Sequence, residues 1–156
     1  PKKKPLPIYL KALVVRNDRG QYLLEKNESE KLLAGFWHFP LIEVEEFSHE
    51  EEQLNLFAQV AEKSVAFGPT PQESFEQDYD LEVNWSHQAF DQVKHVFSHR
   101  KWHIQILAGQ VIESKQFSDR EIRWISPQEF SDYPLAKPQQ KIWQAYKTVL
   151  EDEGWN

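Results

Sequence analysis

The apolar positions along this chain change their period several times, and each change marks an element. Ile8 to Arg16 is mostly apolar and β-branched, and Gln21 to Lys26 follows after Asn17-Asp18-Arg19-Gly20. Two such runs across a turn-rich tetrad predict a hairpin. Phe36 to Val44 is a third strand, and Pro40 within it predicts an edge or a bulge, because proline has no N–H to give to a ladder. Ser48 and Glu51 have the capping-box spacing, after which Leu54, Phe57, Val60 and Ala61 recur at helical intervals. A helix from about Ser48 to Lys63 is expected. Ser64 to Asp80 contains Gly68, Pro69 and Pro71, which favour a loop or short strands over a second helix.

The second half repeats this alternation of strand and helix. Leu81 to Trp85 alternates as a short strand, and Val93 to Phe97 pairs with Trp102 to Val111 across a loop, Ser98 to Lys101. Trp102, Ile104 and Ile106 fall on one face of that strand and His103, Gln105 and Leu107 on the other. Glu121 to Ile125 is a further strand, and Ser126-Pro127-Gln128-Glu129 combines an N-cap, a proline at the first helical position and a capping acid. Pro138 can open a last helix, with Ile142, Tyr146, Val149 and Leu150 on one face and Trp143 beside them. The order β-β-β-α-β-β-β-α is that of an α+β protein, a mixed sheet flanked by helices.

Composition narrows the classes. At 156 residues and 40% hydrophobic content the chain can bury one core without a staple. It contains no cysteine, which excludes disulfides, thiolate zinc sites, iron–sulfur ligation and a cysteine nucleophile. The opening Pro-Lys-Lys-Lys-Pro-Leu-Pro has linker composition. Residues 1–6 are therefore expected to be a linker from a preceding domain and 7–156 the folded unit. No apolar run approaches the roughly 18 residues of a membrane span and no signal peptide is visible, so a soluble, intracellular protein is expected.

The net charge of −7 argues against a surface that holds nucleic acid throughout. Its distribution is uneven. Val93 to Leu107 contains Lys94, Arg100, Lys101 and three histidines and no acid, whereas Glu43 to Glu52 contains six glutamates. His95, His99 and His103 recur every four residues, but a four-residue step along a strand is about 13 Å, too far for shared metal coordination. Trp37, Trp102, Trp124 and Trp143 sit in apolar periods and are expected in the core, with Trp155 exposed.

Two segments, Leu32 to Pro40 (Leu-Leu-Ala-Gly-Phe-Trp-His-Phe-Pro) and Phe97-Ser98-His99 after a Val-x-His strand, resemble the C-terminal domain of MutY-type adenine DNA glycosylases. The resemblance spans nearly the whole chain. It implies a Nudix-like fold and a bacterial, cytoplasmic protein that reads 8-oxoguanine opposite adenine in duplex DNA. Adenine would be excised by a separate N-terminal domain carrying a catalytic carboxylate and usually a 4Fe–4S cluster. This chain would hold no catalytic residue, cofactor or metal. Its partners would be the lesion duplex, the catalytic domain and, in addition, other repair or replication proteins. The family more often has Glu where this chain has His38.

The residues of the loop suit that chemistry. Guanine N7 is an acceptor, whereas in 8-oxoguanine N7 carries a proton and C8 a carbonyl, so a reader must accept from one atom and donate to the next. The Ser98 hydroxyl does both, and its backbone adds one N–H and one C=O. Phe97 can pack on a base or sugar, and His99 can donate from either ring nitrogen. Lys94, Arg100 and Lys101 are candidate phosphate contacts, which position a protein without reading sequence.

Two other classes compete. A Nudix hydrolase needs glycines after Phe-Pro and an Arg-Glu-x-x-Glu-Glu cluster to hold magnesium. Here Leu41 and Ile42 fall at the glycines, and Leu56, Phe57, Val60 and Ala61 at the arginine and glutamates. Glu50-Glu51-Glu52 lies in the first turn of the expected helix, where carboxylates favour the macrodipole. A protein-interaction module is the third class, suggested by the acidic surface and by six tryptophans, any of which could be exposed.

Overall fold

The structure is a computed structural model that describes residues 4–27, 35–47, 68–115 and 120–152. The expected helix at Ser48 to Lys63, the apolar positions Leu56, Phe57, Val60 and Ala61, and Trp155 lie outside the described residues. Among those described, eight strands form one mixed sheet. They are β1 (Leu6–Arg16), β2 (Tyr22–Lys26), β3 (Trp37–His38), β4 (Leu41–Val44), β5 (Leu81–Trp85), β6 (Val93–Phe97), β7 (Arg100–Ser114) and β8 (Ile122–Ile125). Helices α1 (Pro71–Tyr79) and α2 (Lys137–Asp152) and a 3-10 helix (Pro127–Asp132) complete them. The α+β architecture expected from the sequence is the one observed.

The sheet is built around β1 and β7, which run parallel in register from Leu6 opposite Arg100 to Arg16 opposite Gln110. On its other edge β1 takes β4 antiparallel and then turns into β2. The β1–β2 turn closes as its residues dictate. Asn17 Oδ1 accepts from the N–H groups of Arg19 at 3.0 Å and Gln21 at 2.9 Å, and Gly20 supplies a φ of +75°. β2 continues to β8 and β3. The irregular third strand is two strands: β3 pairs with β2 and β4 with β1, and Phe39-Pro40 is the corner between them. Pro40 keeps its acceptor in use, taking the Leu13 N–H at 2.9 Å.

Both faces of β1 are covered, because alternate residues enter different cores. Leu10, Ala12 and Val14 pack with Ile104, Ile106, Ile142 and Tyr146 under α2. Leu13 and Val15 pack with Leu23, Phe75 and Tyr79 under α1. The predicted face of α2 does dock on the sheet, through Ile142 and Tyr146, and each such side chain contributes roughly 1.5–3 kcal/mol by burial. Trp37 is buried, and Trp102, Trp124 and Trp143 are half-buried against the two cores.

Helix α1 corrects the expectation of a loop or strands between Ser64 and Asp80. Pro71 occupies the first helical turn, where its missing N–H costs nothing. Thr70 and Glu73 form a reciprocal capping box, and Asp80 ends the helix in the left-handed region. The proline starts a helix here instead of breaking one. The turn after Ser126 also differs from expectation. It is a 3-10 helix in which the Ser126 side chain makes no cap bond; the Ser126 carbonyl accepts from Glu129 N–H at 2.8 Å instead.

Candidate functional site

The β6–β7 hairpin projects from the end of the sheet at which β1 begins. Phe97 pairs with Arg100, so the connection is a two-residue turn, Ser98-His99, and not the four-residue loop expected. Arg100 and Lys101 belong to β7. Ser98 has a φ of +37°, at the first turn position, where two-residue hairpins favour glycine. A serine held there is strained, and strain of this kind gathers at functional sites. The turn is braced on its far side, where the Leu6 N–H donates to the His99 carbonyl at 2.7 Å. Ser98, His99, Lys94 and Arg100 are exposed, and Phe97 and Lys101 are half-buried.

Strand alternation sorts the candidate residues onto two faces. On the face toward α2, an aromatic row runs from His95 to Phe97, with centroids 4.4 Å apart, and on to Trp102 at 4.8 Å, both edge-on. Trp102 rests against the core and seats the row. Lys141 of α2 reaches over to this row. Its Nζ donates to the Lys94 carbonyl at 3.2 Å and lies 3.1 Å from His95 Nδ1. Burial first, and then the charges of Lys141 and Lys137, hold the His95 imidazole below its ordinary range. A neutral His95 accepting from the ammonium satisfies both groups.

The opposite face carries Lys94, Val96, Lys101 and His103. His103 stacks on Tyr9 with centroids 5.1 Å apart. Lys94 is its cross-strand partner and Lys101 lies two residues before it on the same face, and burial first, then these two charges, lower its pKa. Beyond it, Lys11 donates to Gln105 and lies 4.6 Å from the centroid of the Phe47 ring. Lys94 and Lys101 therefore share one face, both next to His103. Arg100 projects to the aromatic face and is separate from Lys101, so the two do not act as adjacent anchors on one loop. His95 and His103 likewise occupy opposite faces, with His99 at the turn. Among the described residues no three His, Asp or Glu side chains converge on a point where a metal ion would sit.

A cleft of about 180 Å³ adjoins the aromatic row through Trp102. Phe36, Trp37 and His38 form one wall, and Pro138 and Gln139 at the start of α2 form the other. Gln139 is only 3% exposed, and its Oε1 accepts from the Phe39 N–H at 2.9 Å, locking the Trp-His-Phe-Pro corner to the helix. His38 Nδ1 lies 2.9 Å from the Phe39 carbonyl. Sequence reasoning missed this cleft, although a glutamine one residue after the proline that opens an apolar helix face was a visible signal of a buried polar partner.

A second polar cluster joins β2 to α1. Tyr79 donates to Glu25 at 2.5 Å, and Arg120 Nη1 lies 3.1 Å from the same carboxylate, with its guanidinium over the Tyr79 ring. Burial and the Glu25 carboxylate raise the Tyr79 pKa well above the ordinary phenol value. These groups satisfy one another, and the cluster reads as a clasp holding α1 to the sheet.

No described helix is long and apolar enough to cross a membrane. Solved structures share the fold across almost all of this chain. The C-terminal domain of mouse MUTYH, in a complex with human PCNA, matches at 22% identity and a TM-score of 0.55, over 91% of this chain and 88% of that one. The E. coli ORF135 protein matches at 20% identity and 0.56, over 94% and 92%. A NUDIX hydrolase from Nitrosomonas europaea matches at 13% and 0.58, over 92% and 90%. At these identities the structures establish the fold alone. The sequence itself matches the NUDIX domain family from residue 11 to residue 145, and the chain belongs to that family.

Proposed function

We propose that this chain is the lesion-recognition domain of a MutY-type adenine DNA glycosylase, with Ser98 reading 8-oxoguanine paired with adenine. The observation that carries the proposal is the state of Ser98: exposed, at a φ of +37°, on a two-residue turn braced by the Leu6 N–H. An exposed side chain kept in that conformation, with no hydrogen-bond partner for its hydroxyl among the described residues, is presented outward. NUDIX membership and the fold shared with the mouse MUTYH domain support the same assignment.

Phe97 and His99 flank the reader. Phe97 is wedged between His95 and Trp102 and supports the turn from beneath, while the exposed His99 can donate to a base or phosphate. Lys94 and Lys101 would bind phosphate on one face and Arg100 on the other, so that a backbone is straddled. In this proposal the residues before β1 lead from a separate excision domain, which holds the catalytic carboxylate and the iron–sulfur cluster; Leu6, expected in that linker, already belongs to the strand. A repair or replication partner belongs to it as well, by analogy with the mouse domain and PCNA.

The test is Ser98→Ala in the full-length glycosylase, comparing adenine removal opposite 8-oxoguanine with removal opposite guanine. A single hydroxyl contact should account for about tenfold discrimination, the lower end of what base contacts give. An unchanged ratio removes Ser98 from the reader role. Nucleotide hydrolysis is the rival, and release of pyrophosphate from 8-oxo-dGTP with magnesium by the 156-residue chain would replace this proposal.

A further inference from the structure

Remote from the hairpin lies a second cleft, of about 170 Å³, between the ends of β1 and β5, the middle of β7 and the last turns of α2. Ten residue steps of β1 separate it from the Ser98 turn, about 33 Å, so it is independent of lesion reading. Arg16, Asn84, Ser86 and Gln110 line its polar side, and Tyr146 and Leu150 its apolar side. No described Asp or Glu lines it.

The donors in this cleft are in excess. Arg16 is half-buried, and among the described residues it has no ion-pair or side-chain hydrogen-bond partner, in a chain with 25 acidic residues. The Ser86 oxygen accepts from Gln88 N–H at 3.1 Å, leaving its own O–H to donate. The Tyr146 hydroxyl lies 3.0 Å from that of Tyr22 and, when it accepts from Tyr22, keeps its own proton for the cleft. A half-buried guanidinium beside hydroxyl donors, with an apolar floor, favours an acceptor that carries negative charge.

We propose that this cleft binds a monocarboxylate on a short apolar stem, as on a small organic acid or the free C-terminus of a peptide. One guanidinium balances one negative charge, whereas a phosphate monoester, near −2, would be left half-compensated. The volume corresponds to about five or six waters, the size of a carboxylate with a few carbons.

The test titrates isobutyrate, N-acetyl-leucine, N-acetyl-leucinamide and inorganic phosphate into the isotope-labelled 156-residue chain, following the amide resonances of Ser86, Gly109 and Gln110. Both carboxylates should give saturable shifts, and the amide and phosphate none. Arg16→Gln should weaken carboxylate binding at least tenfold, and Ser86→Ala a few-fold, with thermal midpoints unchanged. N-acetyl-leucine binding tenfold tighter than isobutyrate would assign the site to peptide ends, and equal affinities to free acids. The proposal is overturned if no carboxylate saturates, if the amide or phosphate binds as tightly, or if Arg16→Gln leaves affinity unchanged. Should Arg16→Gln fail to fold, unchanged affinity in both Ser86→Ala and Gln110→Ala overturns it.

Discussion

The Tyr22 hydroxyl meets the Tyr146 hydroxyl at 3.0 Å inside the core and ties strand β2 to helix α2. Tyr146→Phe keeps the ring contacts with Trp143 and Phe90 but leaves the Tyr22 hydroxyl buried alone. The expected cost is about 1–2 kcal/mol, and Tyr22→Phe combined with Tyr146→Phe should recover part of it, because the orphan is then gone. Urea unfolding of the three variants measures this, and a double variant less stable than the sum of the singles would contradict it.

Alkaline solution should act on the same pair. Burial raises the pKa of Tyr22, of Tyr79 and of Tyr146, so the folded protein holds phenol protons that the unfolded chain releases at about pH 10. The stabilisation is complete below that pH and declines above it, since unfolding then releases protons. Unfolding midpoints between pH 8 and 11 should fall only in the upper part of that range, together with an ultraviolet signal of tyrosinate that appears on unfolding. Tyrosinate absorption from the native state of all three phenols would reject the expectation.

Ser98 should show a conflict between stability and reading. Glycine adopts positive φ freely, so Ser98→Gly relieves the strained turn and should stabilise the chain by about 0.5–1 kcal/mol after the added freedom of the unfolded state is counted. The same change removes the hydroxyl, and discrimination for 8-oxoguanine should fall as in Ser98→Ala. Thermal midpoints and discrimination measured on Gly and Ala variants separate the two effects. A glycine variant less stable than wild type would mean that the turn is not strained.

His95 should titrate below the ordinary histidine value of about 6.5. A depressed folded pKa means that its stabilising contribution is present above that value and is lost as pH falls below it, since the unfolded chain takes up the proton first. The ring is half-buried at the edge of the sheet, so the effect is on the site more than on the fold. Lys141→Gln should move the titration upward without restoring the ordinary value, because burial is the larger cause. A wild-type midpoint at or above 6.5, read from ring proton shifts, would remove the Lys141 contact from the account.

Much of the fold and the candidate site could be read from local pattern. Alternation located the β6–β7 pair, and the Asn17 to Gly20 turn and the apolar face of α2 followed from their residue types. What failed was punctuation. Pro71 reads as a breaker until Thr70 and Glu73 are seen to cap around it, and Ser98-His99 has none of the glycine or asparagine that advertises a two-residue hairpin. The expected loop, Ser98 to Lys101, is therefore two residues too long and takes in Arg100 and Lys101, which belong to β7. Their separation onto two faces is a consequence of strand geometry that composition does not show. The Arg16 cleft was invisible for another reason: it gathers residues from four elements distant in sequence.

The parallel register of β1 on β7 also governs how this hairpin can vary. A slip of one residue would turn Ile104, Ile106 and Ala108 out of the α2 core and bring His103 and Gln105 into it. Sliding is therefore closed as a way to adjust the reach of the turn. Insertions and deletions near Ser98 should therefore be accepted in pairs on the strands, which keep the alternation, or within the turn itself. The pointer has a fixed length, and its reading can be changed by substitution long before it can be changed by extension.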